Sequence, residues 1–124
     1  MLRNVAVVVV NGFLPFEFGT ICEVFGVDRA DDRLPPYELS VVAGEPPPVR
    51  AHNEFTITPP CGLEGLEAAD LIALPAVDDD RLRIYAGKLA EEPDAPRPFP
   101  EDLLEALRRA VDRGTCSRSL KMTM

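Results

Sequence analysis

The run Val5-Ala6-Val7-Val8-Val9-Val10 constrains the fold of this chain more than any other stretch. Its residues are β-branched or small, and none is polar, so a strand built from them has no face to offer to water. A strand with one solvated face alternates; a strand apolar on both faces is the central member of a parallel sheet, with helices covering it on two sides. Asn11-Gly12 then ends the strand in a turn. Pro15, Phe16 and Glu17 open a helix in which Phe18, Ile21, Cys22 and Phe25 stand at i, i+3, i+4 and i+7, and Gly26 stops it.

The rest of the chain alternates in the same way. Tyr37-Glu38-Leu39-Ser40-Val41-Val42-Ala43 reads as a second strand, closed by the prolines 46 to 48. Val49-Arg50-Ala51 and Phe55-Thr56-Ile57-Thr58 flank His52-Asn53-Glu54 as a small hairpin, which Pro59, Pro60 and Gly62 end. Leu71-Ile72-Ala73-Leu74 is a short buried strand. Asp78 to Pro100, with Asp78-Asp79-Asp80 and four prolines from Pro93 onward, suggests a surface loop around one or two helical turns. A well-marked helix follows, with Pro100 at its start, Glu101 and Asp102 in the first turn, Arg108, Arg109 and Arg113 near the end and Gly114 as the stop. Its stripe of Leu103, Leu104, Leu107, Ala110 and Val111 requires a sheet to cover it. The order predicts a doubly wound α/β sandwich with a parallel sheet. After Gly114 the pattern breaks: Thr115 to Met124 reads as an unpatterned polar tail, unsuited to a buried strand. The expected organisation is a partial domain over 1–114 and a tail over 115–124, incomplete at the carboxy terminus.

With 124 residues, 46% of them hydrophobic, the chain suits one domain or part of one. Its 21 acidic against 13 basic residues give a net charge of −8, which repels a phosphate backbone, so no nucleic-acid binding is expected of this chain alone. The cysteines 22, 61 and 116 have no CxxC spacing, and their odd number argues against a disulfide framework and for a reducing cytoplasm. The six-residue apolar run is far too short to span a membrane, and Met1-Leu2-Arg3-Asn4 lacks the apolar core of a signal peptide. The expectation is a soluble cytoplasmic protein without membrane contact.

Ligand sites of such sheets lie outside the carboxyl ends of the strands. That rule selects Asn11, Gly12 and Glu17, beside the turn from Pro75 to Asp80, as candidate ligand-binding residues. A first-turn carboxylate such as Glu17 gains ~0.3–1 kcal/mol from the helix dipole without any function, so its placement against the crevice is the stronger argument. Cys22 reads as core packing, Cys61 as a loop thiol and His52 as a solvated turn residue; Asp78-Asp79-Asp80 reads as a solvated acidic loop. No catalytic residue, metal or cofactor is assigned.

Several segments together carry a resemblance: the Val5–Val10 strand, Gly12-Phe13-Leu14-Pro15-Phe16-Glu17-Phe18 with Glu23-Val24-Phe25-Gly26, Phe55-Thr56-Ile57-Thr58-Pro59-Pro60, Gly62-Leu63-Glu64, and Ala69-Asp70-Leu71-Ile72-Ala73-Leu74-Pro75. In their order and spacing the chain resembles the ThiJ/PfpI superfamily, more narrowly the amidase-like amino-terminal domain of GlxA-like AraC-type transcriptional regulators. The resemblance implies a flavodoxin-like three-layer sandwich related to class I glutamine amidotransferases, usually a homodimer, which senses a small-molecule ligand ahead of a helix-turn-helix domain. In enzymes of the superfamily a cysteine on a nucleophile elbow is held near an acidic residue of the first helix, and Glu17 matches that acidic position. Cys116 does not match the elbow: it lies two residues past the helix stop and is followed by Ser117, Arg118 and Ser119 rather than by a small residue and glycine. The expected function is a truncated ligand-sensing and dimerisation domain of such a regulator, without its DNA-binding domain; the alternatives are a cysteine hydrolase, hydratase or amidase of the ThiJ/PfpI kind and a nonfunctional gene remnant. A frameshift, an early stop and a gene-model error would each account for the break after Gly114.

Overall fold

Strand β1, Asn4–Val9, lies inside a four-stranded sheet. The computed structural model of the chain describes residues 3–26, 37–77 and 99–120, the stretch 116–120 by its backbone alone. After β1 come helix α1 (Pro15–Gly26), β2 (Glu38–Ala43), the two-residue strands β3 (Val49–Arg50) and β4 (Thr56–Ile57), a 3-10 helix (Leu63–Leu66), β5 (Leu71–Pro75), helix α2 (Glu101–Asp112) and β6 (Cys116–Leu120). The strand order is β2-β1-β5-β6 and every pairing in the sheet is parallel. β3 and β4 form the separate antiparallel hairpin that the sequence places there, with His52, Asn53 and Glu54 exposed at its turn.

The valine run is buried on both faces, as its composition requires. Ala6, Val8 and Val10 pack with Val42, Leu66, Ile72, Leu103, Ala106 and Ala110, beneath α2 and the 3-10 helix. Val7 packs on the opposite face with Ile21 and Ala73, edged by Phe18 and Phe25 of α1. Among the described residues the result is a three-layer sandwich, with α1 on one face of the sheet and α2 and the 3-10 helix on the other. Each fully buried Val or Ile contributes ~1.5–3 kcal/mol relative to exposure, so the central strand is the chief source of apolar stabilisation. Val9 belongs to a third cluster with Phe13, Ala43, Val49 and Ala51, which seats the hairpin on the sheet.

Two expectations are corrected. Val111 is 56% exposed and does not join the buried stripe of α2, which consists of Leu103, Ala106 and Ala110 with Leu107 at its margin. The helix is seated on its two small alanines, and Val111 lies about 100° round the axis from Ala110, beyond the contact. The sheet also does not stop at Gly114: Cys116–Leu120 pairs in parallel with β5, from Leu71↔Cys116 to Pro75↔Leu120. Strand pairing is made by backbone groups, and polar side chains do not prevent it. Gly114, with φ +88°, turns the chain out of α2, and Thr115 fixes the turn by donating its N–H to Ala110 O at 3.0 Å and its Oγ1 hydroxyl to Ala69 O at 3.1 Å.

Asp70, before β5, ties the amino end of the sheet. Its Oδ2 accepts the backbone N–H groups of Arg3 at 3.0 Å and Asn4 at 2.9 Å, and those two bonds, Asn4 first, hold its carboxyl below the ordinary aspartate range.

Candidate functional site: the carboxyl ends of β1 and β5

Counted within the main sheet alone, the strand order is 2-1-3-4, so the chain reverses its direction of winding between β1 and β5. The carboxyl ends of the strands at such a reversal are the place where doubly wound folds bind ligands. The turn from Val10 to Leu14 occupies it. Gly12 has φ +89°, a conformation that side chains disfavour, and it lets the backbone fold back so that Phe13 N–H reaches Val10 O at 3.1 Å.

The three turns at this end are bonded to one another. Gly12 N–H donates to Arg50 O at 2.7 Å, His52 N–H to Phe13 O at 2.9 Å, Leu14 N–H to Ala76 O at 2.8 Å and Gly44 N–H to Val9 O at 2.8 Å. The Asn11 side chain joins in, its Oδ1 accepting Arg50 N–H at 2.9 Å. Phe13 is fully buried, bridges to both Ala51 and Val77, and meets Phe18 and Phe55 edge to face at 5.4 and 6.2 Å.

Two carboxylates are buried at this end, Glu17 at 4% exposure and Glu45 at 9%. Among the described residues no buried side-chain nitrogen or oxygen lacks a hydrogen-bond partner, so both are satisfied. Glu17 lies in the first turn of α1, where the helix dipole favours its charge. Glu45 accepts Asn11 N–H at 2.9 Å through Oε2.

The structure thus sets Asn11 and Gly12 on the turn after β1, Glu17 at the start of the following helix and the buried Pro75 at the end of β5. Glu45 is the residue that sequence reasoning missed. Its signal was present, an acid two positions past β2 at the same end of the sheet, but the prolines that follow suggested only a strand stop. Asp78, Asp79 and Asp80 fall outside the described residues.

Neither described cysteine serves this crevice. Cys22 is half-buried rather than in the core, about one and a half turns along α1 from Glu17, and burial followed by the neighbouring Glu23 pushes its thiol pKa up, away from the reactive thiolate. Cys61 is half-buried in the stretch after the hairpin, where its carbonyl accepts Ala43 N–H at 2.9 Å. Cys116 pairs with Leu71, the first residue of β5, so its backbone lies at the amino end of the sheet, opposite the crevice. Among the described residues no helix is long and apolar enough to cross a membrane.

No family model matches the chain, and no curated protein matches it. Solved structures do. An AraC family transcriptional regulator from Pseudomonas putida superposes with a TM-score of 0.64 at 13% identity, over 94% of this chain and 63% of its own. A DJ-1 superfamily protein from Salmonella typhimurium gives 0.66 at 15% identity, over 95% and 55%. A ThiJ/PfpI family protein from Pseudomonas syringae gives 0.66 at 15% identity, over 96% and 42%. The chain therefore spans about half the length of the structures it matches. The parallel sheet, its winding reversal and these superpositions together show that this chain shares the flavodoxin-like fold of these structures.

Proposed function

We propose that this chain is the ligand-sensing and dimerisation part of a GlxA-like AraC-type transcriptional regulator. The observation that carries the reading is the strand-end crevice: a switch point closed by cross-bonded turns, with the carboxylate of Glu17 buried beside it and no described cysteine placed to attack a substrate. Such a site binds without turning over. In this reading the ligand lies against Asn11, Gly12, Glu17 and Pro75 at the carboxyl ends of β1 and β5, and Glu17, whose carboxylate is hydrogen-bonded within the chain, exchanges that partner for an N–H or O–H group of a small polar molecule; no metal or cofactor is invoked. Homodimerisation accompanies the reading, and duplex DNA is left to a segment other than this acidic one. The free thiols of Cys22 and Cys61 fit a reducing cytoplasm.

The test is thermal melting of the purified chain against a panel of amino acids, amines and small amides, with Glu17→Gln in parallel. A ligand at a hundred times its Kd stabilises by about 2.7 kcal/mol. A shift in Tm for wild type that Glu17→Gln loses is the expected result. Turnover of an amide or glyoxal substrate that a Cys116→Ser variant abolishes would overturn the reading in favour of a cysteine enzyme.

A further inference from the structure

A groove of about 550 Å³ lies between the 3-10 helix and α2, with Leu63, Leu66 and Ala106 as its apolar lining. Carboxylates stand on both walls: Glu64 and Glu67 on the side of the 3-10 helix, Asp102 and Glu105 on α2, each pair at i, i+3 and all four exposed. Arg109 and Arg113 line it toward the end of α2. Glu105 is paired with Arg108 at 2.7 Å and Arg113 donates to Leu66 O at 3.1 Å, so an occupant meets chiefly Glu64, Glu67 and Asp102 against Arg109. Hydrogen bonds from Gly62 N–H and from its own N–H hold the Glu64 carboxyl below the ordinary glutamate range, which keeps it charged at neutral pH.

Two acidic walls around an apolar lining are the complement of a helix that carries an apolar stripe between two rows of Lys or Arg. The length agrees, because α2 rises about 16 Å from Asp102 to Arg113, or roughly three turns of an α-helix lying alongside it. The negative end of such a helix's dipole, its carboxyl end, then meets Arg109. The rest of this chain does not supply the occupant: residues 27–36 and 78–98 each carry more acidic than basic residues, residues 121–124 are too few for three turns, and a second copy brings the same net charge of −8. We infer that the groove between the 3-10 helix and α2 is the docking surface for a basic amphipathic helix of a different protein. This surface is separate from the ligand site proposed above, and neither depends on the other.

Fluorescence anisotropy tests it, with a labelled, end-blocked peptide of about fourteen residues that has Leu at i, i+4, i+7 and i+11 and Lys on both flanks of that stripe. The 124-residue chain is expected to bind this peptide, to bind the same peptide with Glu for every Lys at least about tenfold more weakly, and to release the Lys peptide as salt rises. Glu67→Lys and Asp102→Lys are each expected to weaken binding by about tenfold, whereas Glu38→Lys, the same change of charge at the exposed start of β2 outside the groove, should leave it within about twofold. Glu67 lies outside α2, so its variant reads the groove charge without touching the dipole of that helix. An equal loss from all three variants would reduce the binding to attraction by net charge and overturn the groove. Equal affinity for spermine, or for the peptide with Ser in place of Leu, would assign the acids to any polycation and overturn the helix. Failure to bind the Lys peptide below about 1 mM would overturn the proposal outright.

Discussion

Strand β1 is held at both ends by a carboxylate that accepts backbone N–H groups, but the two ends are built differently. At its carboxyl end Glu45, on the stretch after β2, is buried and takes Asn11 N–H. At its amino end Asp70, on the stretch before β5, takes the N–H groups of Arg3 and Asn4 in contact with solvent. Water can replace Asp70 with little loss, whereas nothing replaces Glu45. The contrast teaches where this fold concentrates its constraint: the end that faces the crevice is bonded and packed from three turns, and the other end is only fastened.

The largest effect should come from Phe13→Ala, which empties the packing centre of the crevice end. A loss of ~3–5 kcal/mol is expected from chemical denaturation, and a loss under 1 kcal/mol would mean that the turns hold themselves without it. Glu45→Ala comes next. It leaves Asn11 N–H without its partner in a partly buried setting, for a loss of ~1–3 kcal/mol by the same measurement. Gly12→Ala forces a side chain into φ +89° and should cost ~1–2 kcal/mol, read as a lowered denaturation midpoint with unchanged slope. Asp70→Asn should be the smallest and the one that depends on pH. Because the folded-state pKa of Asp70 is lowered, its contribution is complete above the ordinary aspartate value and is lost as pH falls through the folded value. Wild type and Asp70→Asn should therefore differ in Tm near neutral pH and converge in acid; a gap that persists at the acid end would assign the effect to packing instead.

The sheet was legible in the sequence because its main signal is composition: a valine run with no polar position admits only a strand buried on two faces. The hairpin was legible from turn residues. β6 was not, because Cys116-Ser117-Arg118-Ser119-Leu120 carries no apolar pattern and its pairing with β5 is made by the main chain, which every sequence shares. Val111 was misplaced because periodicity fixes the spacing of a stripe but not its centre, which the small Ala106 and Ala110 decided. The position of Asn11, Gly12, Glu17 and Pro75 at the carboxyl ends of β1 and β5 followed from the order of the elements. Glu45 did not, since its role arises from its distance to Asn11 N–H across 34 positions of chain, a relation that no local pattern encodes.

The interior position of β1 has a consequence for synthesis. Its partners in the sheet are distant in the chain: Asn4 pairs with Glu38, and Val5 pairs with both Leu39 and Leu71. At roughly 5–20 residues per second, a ribosome takes on the order of 3–15 s to make the residues from β1 through β5. For that interval one of the most aggregation-prone hexapeptides of the chain, uncharged and free of proline, has left the ribosome or is leaving it with no neighbour on one or both sides. Codon choice and chaperone access over the codons from β1 through β5, rather than the stability of the finished fold, should then govern the yield of folded protein.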